Sequence, residues 1–211
     1  MVVAIDGPAG CGKSTIAKML AKKLGYYYLN TGSFYRAFTL AQMERGLDTS
    51  DKDSVLATAK SVKLTVEDGN ICLDGVNVEP KLHTPAIDAE CSLVSIDPRL
   101  REYVNSLVKD IAGTMDIITE GRDTTTVIFP DADYKFYFDA SPEVRARRRL
   151  QDQADTSNYE EILQGIIKRD ENDKAKSFGA LKIASGAIII DTSNLTIEEV
   201  CEKVVNAMHK H

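Results

Sequence analysis

The fold is decided by the segment VVAIDGPAGCGKS, which occupies residues 2–14. Its first five residues form a mostly apolar run, and residues 7–14 match the pattern G-x-x-x-x-G-K-[ST]. Helical spacing follows, with Ile16, Leu20 and Leu24 on one face and Gly25 as the stop. A strand, a glycine loop and a helix in this order bring backbone N–H groups and the positive end of a helix to one point, which favours phosphate binding.

The loop predicts a nucleoside triphosphate site with Mg²⁺ as its metal. Lys13 would reach the β- and γ-phosphates, and the Ser14 hydroxyl would ligate Mg²⁺. A glycine-rich turn without a ligand is the structural alternative, but it does not explain why lysine and serine both stand at the mouth of the helix. The residues assigned to the triphosphate are Gly7, Pro8, Ala9, Gly10, Cys11, Gly12, Lys13, Ser14 and Thr15.

GTP-binding proteins share this loop, but the N-K-x-D motif with which they read guanine does not occur in this sequence. A D-x-x-G sequence at residues 110–113 lies at a predicted helix end rather than after a strand, so we treat it as chance.

Apolar runs with few polar interruptions recur at residues 2–6, 26–29, 116–120, 134–139 and 187–190. Helical patterns separate them, so the sequence predicts an α/β fold with a five-stranded parallel sheet sandwiched by helices. Short strands predicted at residues 62–67, 70–74 and 76–79 interrupt this alternation and indicate an inserted hairpin-like patch.

Size and charge limit the function classes. The chain has 211 residues and a net charge of −6, which argues against a general nucleic-acid-binding protein. Its four cysteines show neither a C-x-x-C pair nor zinc-like spacing, as expected of free thiols in a reducing cytoplasm. We see no signal peptide and no apolar run as long as a membrane span, so we expect a cytoplasmic protein without a membrane partner.

Three further blocks give the sequence a specific resemblance. Residues 29–36, LNTGSFYR, resemble the D-[ST]-G-x-x-Y-R stretch of bacterial cytidylate kinases, and residues 120–132 resemble their G-R-D-x-G-T-x-V-F-P-x-A block. Arg169, Asp170 and Asp173 resemble the family's R-D-x-x-D. With the glycine loop, these blocks keep the family order and extend the resemblance over nearly the whole chain, to residues 191–193.

The resemblance implies a nucleoside monophosphate kinase with a mobile lid and a monophosphate-binding insertion. The insertion would cover about residues 31–113 and the lid about 145–177, which leaves a core of 1–30, 114–144 and 178–211. Free space for these moving parts suggests a monomer. The implied partners are the small molecules CMP and dCMP, with no nucleic acid.

The resemblance also implies roles for individual residues. Ser92, Arg101 and Asp123 match the base pocket, Arg36 and Arg122 match monophosphate ligands, and Arg169 and Asp173 match residues near the sugar. The full set assigned to the substrate is Thr31, Tyr35, Arg36, Ser92, Arg101, Arg122, Asp123, Asp173 and Lys176. The residues assigned to phosphoryl transfer are Lys13, Arg148, Arg149 and Arg169, and Arg145 is assigned to ATP.

An arginine-rich helix supports this interpretation from the residues themselves. Two phosphorylated ligands bring several negative charges together, and Arg145, Arg148 and Arg149 have the spacing to share one helix face. A solvated basic helix is the structural alternative, and nucleic-acid binding is disfavoured by the acidic total charge.

Two positions depart from the family pattern. Thr125 stands where the family has glycine, and Lys176 stands where it has arginine. A β-branched residue stiffens the turn, and lysine cannot make a planar two-pronged contact. Both changes bear on base selectivity rather than on the reaction class.

The expected activity is ATP-dependent phosphorylation of CMP and dCMP. Cytosine carries an exocyclic amine where uracil carries a carbonyl, so a buried acceptor such as Asp123 favours cytosine. Two alternatives stay open: another small kinase that acts on UMP or on a hydroxylated metabolite, and a nucleotide sensor without turnover.

Overall fold

The structure is a computed structural model that describes residues 1–67, 69–152, 158–176 and 179–209. Its strands are β1 (Val2–Asp6), β2 (Tyr27–Leu29), β3 (Leu64–Glu67), β4 (Asn70–Leu73), β5 (Val76–Asn77), β6 (Ile117–Gly121), β7 (Tyr134–Asp139) and β8 (Ile188–Asp191). Its α-helices are α1 (Lys13–Leu24), α2 (Thr31–Glu44), α3 (Lys52–Ser61), α4 (Pro85–Val94), α5 (Pro98–Ala112), α6 (Pro142–Asp152), α7 (Tyr159–Ala175) and α8 (Ile197–Met208). A 3₁₀ turn covers Glu79–Lys81, and a π-helical turn covers Thr124–Ile128.

The chain folds into two compact units, the first of which comprises Met1–Leu29 and the chain from Met115 onward. This unit contains a five-stranded sheet in the order β2-β6-β1-β7-β8, in which every pairing is parallel. The predicted parallel sheet is therefore confirmed. β1 lies at the centre, and Val3, Ala4 and Ile5 are fully buried. This is why its sequence is continuously apolar instead of alternating.

One face of the sheet packs against α1 and α8. Ile16 and Leu20 of α1 and Val204 of α8 join Phe136 and Phe138 of β7 in one buried cluster. A smaller cluster joins α6 to α7. Burial of this apolar surface is the main stabilising contribution to the sheet, and it holds the carboxyl ends of the strands in place.

The second unit, Asn30–Thr114, contains α2 to α5 and a three-stranded antiparallel sheet in the order β3-β4-β5. The fully buried side chains of Phe34, Phe38, Leu82 and Leu100 lie in this unit. Thr84 and Asp97 cap α4 and α5, each of which begins with a proline.

Within the described part of the chain, no helix is both long and apolar enough to cross a membrane. Part of the region predicted as a lid, residues 153–157 and residue 177, lies outside the described residues.

Candidate active site

The loop between β1 and α1 requires glycine at two points. A Cβ atom at Gly7 would lie 2.1 Å from the carbonyl oxygen of Phe138, so a side chain there would displace the neighbouring strand. Gly10 has a φ of +80°, a conformation that L-residues with side chains adopt at a cost. The predicted glycine loop is thus a tight turn of backbone at the carboxyl end of the central strand.

The start of α1 differs from the other helix starts in the described residues. Gly12 at the N-cap offers no side-chain hydrogen bond to the first N–H groups of the helix. Side-chain caps are present at α2, α3, α4, α5, α6, α7 and α8, from Asn30, Asp51, Thr84, Asp97, Ser141, Asn158 and Thr196. The uncapped start suits a phosphate group, which would accept hydrogen bonds from these N–H groups.

Lys13, the first residue of α1, keeps its ammonium group inside the loop. Its side chain is buried, and Nζ donates a hydrogen bond of 2.6 Å to the carbonyl oxygen of Pro8. Burial lowers the pKa of Lys13, and the positive charge of Arg122 acts in the same direction. A buried cation of this kind gains from a nearby anion such as a phosphate group.

Glu120 belongs to the site, although sequence reasoning gave it no role. The Ser14 hydroxyl donates a hydrogen bond of 2.8 Å to Oε1 of Glu120, and the Tyr28 hydroxyl donates one of 3.2 Å to the same oxygen. Glu120 lies near the carboxyl end of β6, opposite Ile5 of β1. A carboxylate beside the phosphate loop at the carboxyl ends of adjacent parallel strands is the signal that could have identified it.

Oxygen donors from Ser14 and Glu120 fit a magnesium ion, which prefers hard oxygen ligands. The described residues contain no group of three or more His, Cys, Asp or Glu side chains that could hold a metal by itself. A magnesium ion here would therefore depend on the phosphates of a bound nucleotide as well as on the protein.

Arg122 and Lys176 are brought together by Asp173 of α7. Nε of Arg122 lies 2.9 Å from Oδ2 of Asp173, and Nζ of Lys176 lies 2.7 Å from Oδ1. Burial alone would raise the pKa of Asp173, but the hydrogen bonds from Lys176 and Arg122 outweigh it and lower the pKa. Asp173 is thus an ionised anchor that orients both cations.

Arg169 of α7 lies in a positively charged environment. Its side chain is exposed, yet partial desolvation lowers its pKa, and the charges of Arg122 and Arg149 add to that effect. Arg149 is exposed on α6. Neighbouring guanidinium charges that lower the pKa of Arg169 indicate a place where an anionic ligand would be stabilised.

Arg145 of α6 is tied to the phosphate loop by the protein itself. It is 2% exposed, forms a two-pronged ion pair with Asp170 at 3.0 and 2.5 Å, and donates to the carbonyl oxygens of Ala140 at 2.8 Å and of Ala9 at 3.1 Å. It also lines a cavity of about 360 Å³ together with Pro8. The contact with Ala9 fixes the backbone of the loop ahead of α1.

Arg148, also on α6, contacts Thr192, a residue that lies beside the phosphate loop. It donates to the carbonyl oxygen of Thr192 at 2.5 Å and to the Thr192 hydroxyl at 3.2 Å. That hydroxyl lies within hydrogen-bond distance of the carbonyl oxygens of Asp139, at 3.0 Å, and Cys11, at 3.2 Å. Of the arginines that the sequence predicted on one helix face, Arg145 therefore contacts the loop itself, and Arg148 contacts Thr192, which lies beside the loop.

Asp123 is buried between the end of β6 and the π-helical turn, directly before Thr124. The following residue, Thr124, donates its backbone N–H to Asp6, and Thr125 donates both its N–H and its hydroxyl to the same carboxylate. Thr125, which departs from the family's glycine, is thus accommodated by a hydrogen bond to β1.

The predicted substrate residues of the second unit lie on three helices. Thr31, Tyr35 and Arg36 belong to the first turns of α2, and the guanidinium of Arg101 from α5 lies 5.9 Å from the centre of the Tyr35 ring. Ser92 is exposed on α4, where its hydroxyl donates to the carbonyl oxygen of Ala89. A Cβ at Gly32 would lie 2.8 Å from Nη1 of Arg36, so the glycine leaves room for that guanidinium.

Comparison with known proteins gives a consistent result. A family model described as cytidylate kinase matches residues 3–210. The cytidylate kinase of Caldanaerobacter subterraneus subsp. tengcongensis is 41% identical over 212 residues, which cover 99% of this chain and 95% of that protein. A cytidylate kinase of Clostridium botulinum is 39% identical over 211 residues, which cover 99% of this chain and 97% of that protein.

Among solved structures, shikimate kinase from Bacteroides thetaiotaomicron is similar with a TM-score of 0.51 and 13% identity. The match covers 99% of this chain and 98% of that one. At this identity the likeness concerns the fold alone, and it supports the α/β architecture described above.

Proposed function

Because the chain belongs to the cytidylate kinase family, we propose that it transfers the γ-phosphoryl group of ATP to CMP and dCMP, forming CDP and dCDP. The family implies ATP as the phosphoryl donor. The observation that carries the proposal is the start of α1, which combines an uncapped helix terminus with the buried ammonium of Lys13. Together they offer N–H donors and a cation to a triphosphate.

The proposed step is a direct in-line transfer. An oxygen of the CMP phosphate forms a bond to the γ-phosphorus of ATP, while the bond from that phosphorus to the β,γ-bridging oxygen breaks and ADP leaves. Lys13, Arg149 and Arg169 would stabilise the charge that spreads over the transferring group. No side chain forms a covalent intermediate, so the protein acts by positioning and charge.

Magnesium is part of this proposal. The Ser14 hydroxyl would be a direct ligand, and Glu120 would hold that hydroxyl in place and add negative charge beside the metal. When bound, the ion would neutralise phosphate charge. Arg145 and Arg148 would act on ATP indirectly, through the backbone of the loop.

The residues assigned to the acceptor fall into two groups. In the first unit, Arg122 would bind the monophosphate while Asp173 and Lys176 keep it oriented, and Asp123 would accept the amine of cytosine. In the second unit, the assigned residues are Thr31, Tyr35, Arg36, Ser92 and Arg101. A carboxylate acceptor disfavours UMP, because uracil has a carbonyl where cytosine has the amine. The carboxylate and the carbonyl are both acceptors, so each would lack a hydrogen-bond donor.

A steady-state acceptor panel tests the proposal. With ATP and Mg²⁺, ADP release would be measured for CMP, dCMP, UMP, AMP and a hydroxylated acid such as shikimate. We expect CMP and dCMP to have the highest kcat/KM. Phosphorylation of none of the monophosphates, despite tight ATP binding, would instead support the sensor alternative.

Replacing the base-reading carboxylate tests the assignment of Asp123. Asp123→Ala should narrow the preference for CMP over UMP by about tenfold or more, because discrimination by a buried hydrogen-bonding group is lost. The matched control is Asp131→Ala, which removes an exposed carboxylate from the same segment. An unchanged ratio in Asp123→Ala would mean that another group reads the base.

Three further points belong to the proposal. We propose that the protein acts as a monomer, that it works in the cytoplasm without nucleic-acid partners, and that about residues 145–177 close over the nucleotides to exclude water. Gel filtration with light scattering tests the first of these. The hydrolysis of ATP without an acceptor tests the last, because a closing lid keeps this side reaction slow.

A further inference from the structure

Asp6 connects two parts of the first unit that have different tasks in the proposed reaction. It is the last residue of β1 and stands directly before Gly7, the first residue of the phosphate loop. Its side chain is fully buried. A buried carboxylate needs several hydrogen bonds to be tolerated, and Asp6 obtains them from one short segment.

That segment is the π-helical turn that follows Asp123. Oδ1 of Asp6 accepts the backbone N–H of Thr124 at 3.0 Å. Oδ2 accepts both the N–H of Thr125 at 2.7 Å and its hydroxyl at 2.5 Å. The hydroxyl bond is the shortest of the three, and hydrogen bonds to an ionised acceptor are about twice as strong as neutral ones.

The backbone carbonyl group of Asp123 also anchors this residue to the π-helical turn. This oxygen accepts N–H groups from Val127 at 2.8 Å and, at 3.3 Å, from Thr126 and Ile128. The backbone of Asp123 is therefore hydrogen-bonded to the turn that follows it. Thr124 and Thr125, the next two residues, are hydrogen-bonded to Asp6. The position of the Asp123 carboxylate depends on both sets of bonds.

The two carboxylates also influence each other electrostatically. Burial raises the pKa of Asp6, and the charge of Asp123 adds to the increase, whereas the hydrogen bonds from Thr125 and Thr124 oppose it. The hydrogen bond from the Thr125 hydroxyl thus favours the charged form of the Asp6 carboxylate, which lies near the Asp123 carboxylate assigned to the base.

We propose that Asp6 and Thr125 form a positioning pair that sets the place of Asp123 relative to the phosphate-loop strand and thereby determines base selectivity. The inference rests on the proposed function. Without the hydroxyl, the turn at Thr124–Ile128 loses its side-chain anchor, and the carboxylate of Asp123 shifts away from the amine of cytosine. The base is then bound less well, while the triphosphate site remains intact.

The test compares Thr125→Val with Thr125→Ser, which remove and retain the hydroxyl while the residue stays small. KM and kcat would be measured for CMP and for UMP, together with MgATP affinity and thermal unfolding. In Thr125→Val we expect KM for CMP to rise about tenfold, as for loss of a charge-assisted hydrogen bond, with kcat within about twofold of wild type. The preference for CMP over UMP should fall by a similar factor. Thr125→Ser should stay within about twofold of wild type in every parameter.

Two results would overturn the proposal. One is an unchanged preference for CMP over UMP in Thr125→Val. The other is an equal loss in Thr125→Ser, because this variant retains the hydroxyl and the effect would then not depend on it. If the wild-type chain phosphorylated no pyrimidine monophosphate, the proposed function would fail instead, so the two failures are distinguishable.

A double-mutant cycle tests whether the pair acts as a pair. Asp6→Asn should lower the preference for CMP, and adding Thr125→Val to it should lower the preference little further, because the bond is already lost. Full multiplicative effects would show that Thr125 acts independently of Asp6 and would contradict the proposal. If Asp6→Asn does not fold, the comparison of the valine and serine variants still decides the question.

Discussion

The starts of α1 and α8 show two solutions to the same problem. α8 begins with a capping box, in which the Thr196 hydroxyl accepts the N–H of Glu199 at 3.2 Å and the Glu199 carboxylate accepts the N–H of Thr196 at 2.8 Å. α1 has Gly12 as its N-cap and therefore no side-chain cap. In α8 the protein's own side chain accepts a hydrogen bond from the first N–H groups, whereas in α1 these groups stay available to a ligand.

The difference teaches where stability and function lie in this fold. A capped terminus contributes to folding free energy at all times, whereas an uncapped one contributes binding free energy when an anion arrives. The loop at α1 therefore needs support from outside the helix, and Arg145 supplies it through the carbonyl oxygen of Ala9.

The largest expected effect follows removal of that support. Arg145→Ala leaves the carboxylate of Asp170 with little exposure and without its two-pronged partner. We expect the free energy of unfolding to fall by about 3–5 kcal/mol, the usual cost of breaking a buried ion pair. Urea unfolding measures this. The control is Arg147→Ala on the exposed side of α6, and equal losses in the two variants would contradict the role given to Arg145.

The next effect concerns catalysis at α1 without a loss of stability. Lys13→Met removes the ammonium but keeps the chain length, and turnover with ATP and CMP should fall about 100- to 1000-fold, as for other preorganised charge contacts. The melting temperature should not fall, because burial already disfavours the charged lysine. Near-normal turnover in this variant would remove Lys13 from the mechanism.

A smaller effect is expected for the carboxylate beside Ser14. Glu120→Gln keeps the shape of the side chain but removes its charge, so the Mg²⁺ concentration that gives half-maximal rate should rise about tenfold. Titration of the rate with Mg²⁺ at constant ATP measures it. Glu202→Gln, an exposed change on α8, serves as the control. An unaltered Mg²⁺ requirement would show that Glu120 acts only on Ser14 or Tyr28.

The smallest effect completes the comparison at α8. Thr196→Ala removes the cap, and the free energy of unfolding should fall by about 1 kcal/mol while kcat/KM for CMP stays unchanged. Thr196→Ser should restore the stability. If the alanine variant altered kinetics more than stability, the division between the two helix starts would be wrong.

The sequence predicted the sheet well because its strands are buried on both faces. Each of the five apolar runs became a strand within a residue or so, and the glycine loop joined the first run to its helix as expected. These features arise from local chemistry: continuous apolar residues, a glycine pattern and proline-led helix starts all act within a few positions of the chain.

The partners of charged residues could not be predicted in the same way. Arg145 and Arg148 have the spacing of a shared phosphate-binding face, but whether they contact a ligand or the protein depends on Asp170 and Thr192, which lie elsewhere in the sequence. From the sequence, Thr125 predicted only a stiffer turn. Its hydrogen-bond partner Asp6 is distant along the chain, so this contact could not be predicted. Such contacts follow from topology, and periodicity carries no information about them.

The position of β1 in the sheet has a consequence for how the molecule assembles. Val3 has Ile118 and Tyr134 as its Cα partners, so the central strand pairs with segments that are translated much later. Contacts so far apart along the chain form slowly, and an apolar strand that awaits its neighbours is prone to aggregation. On the ribosome, we therefore expect the 30–114 unit to become ordered while β1 is still unpaired, which makes the nascent chain a natural client for chaperones.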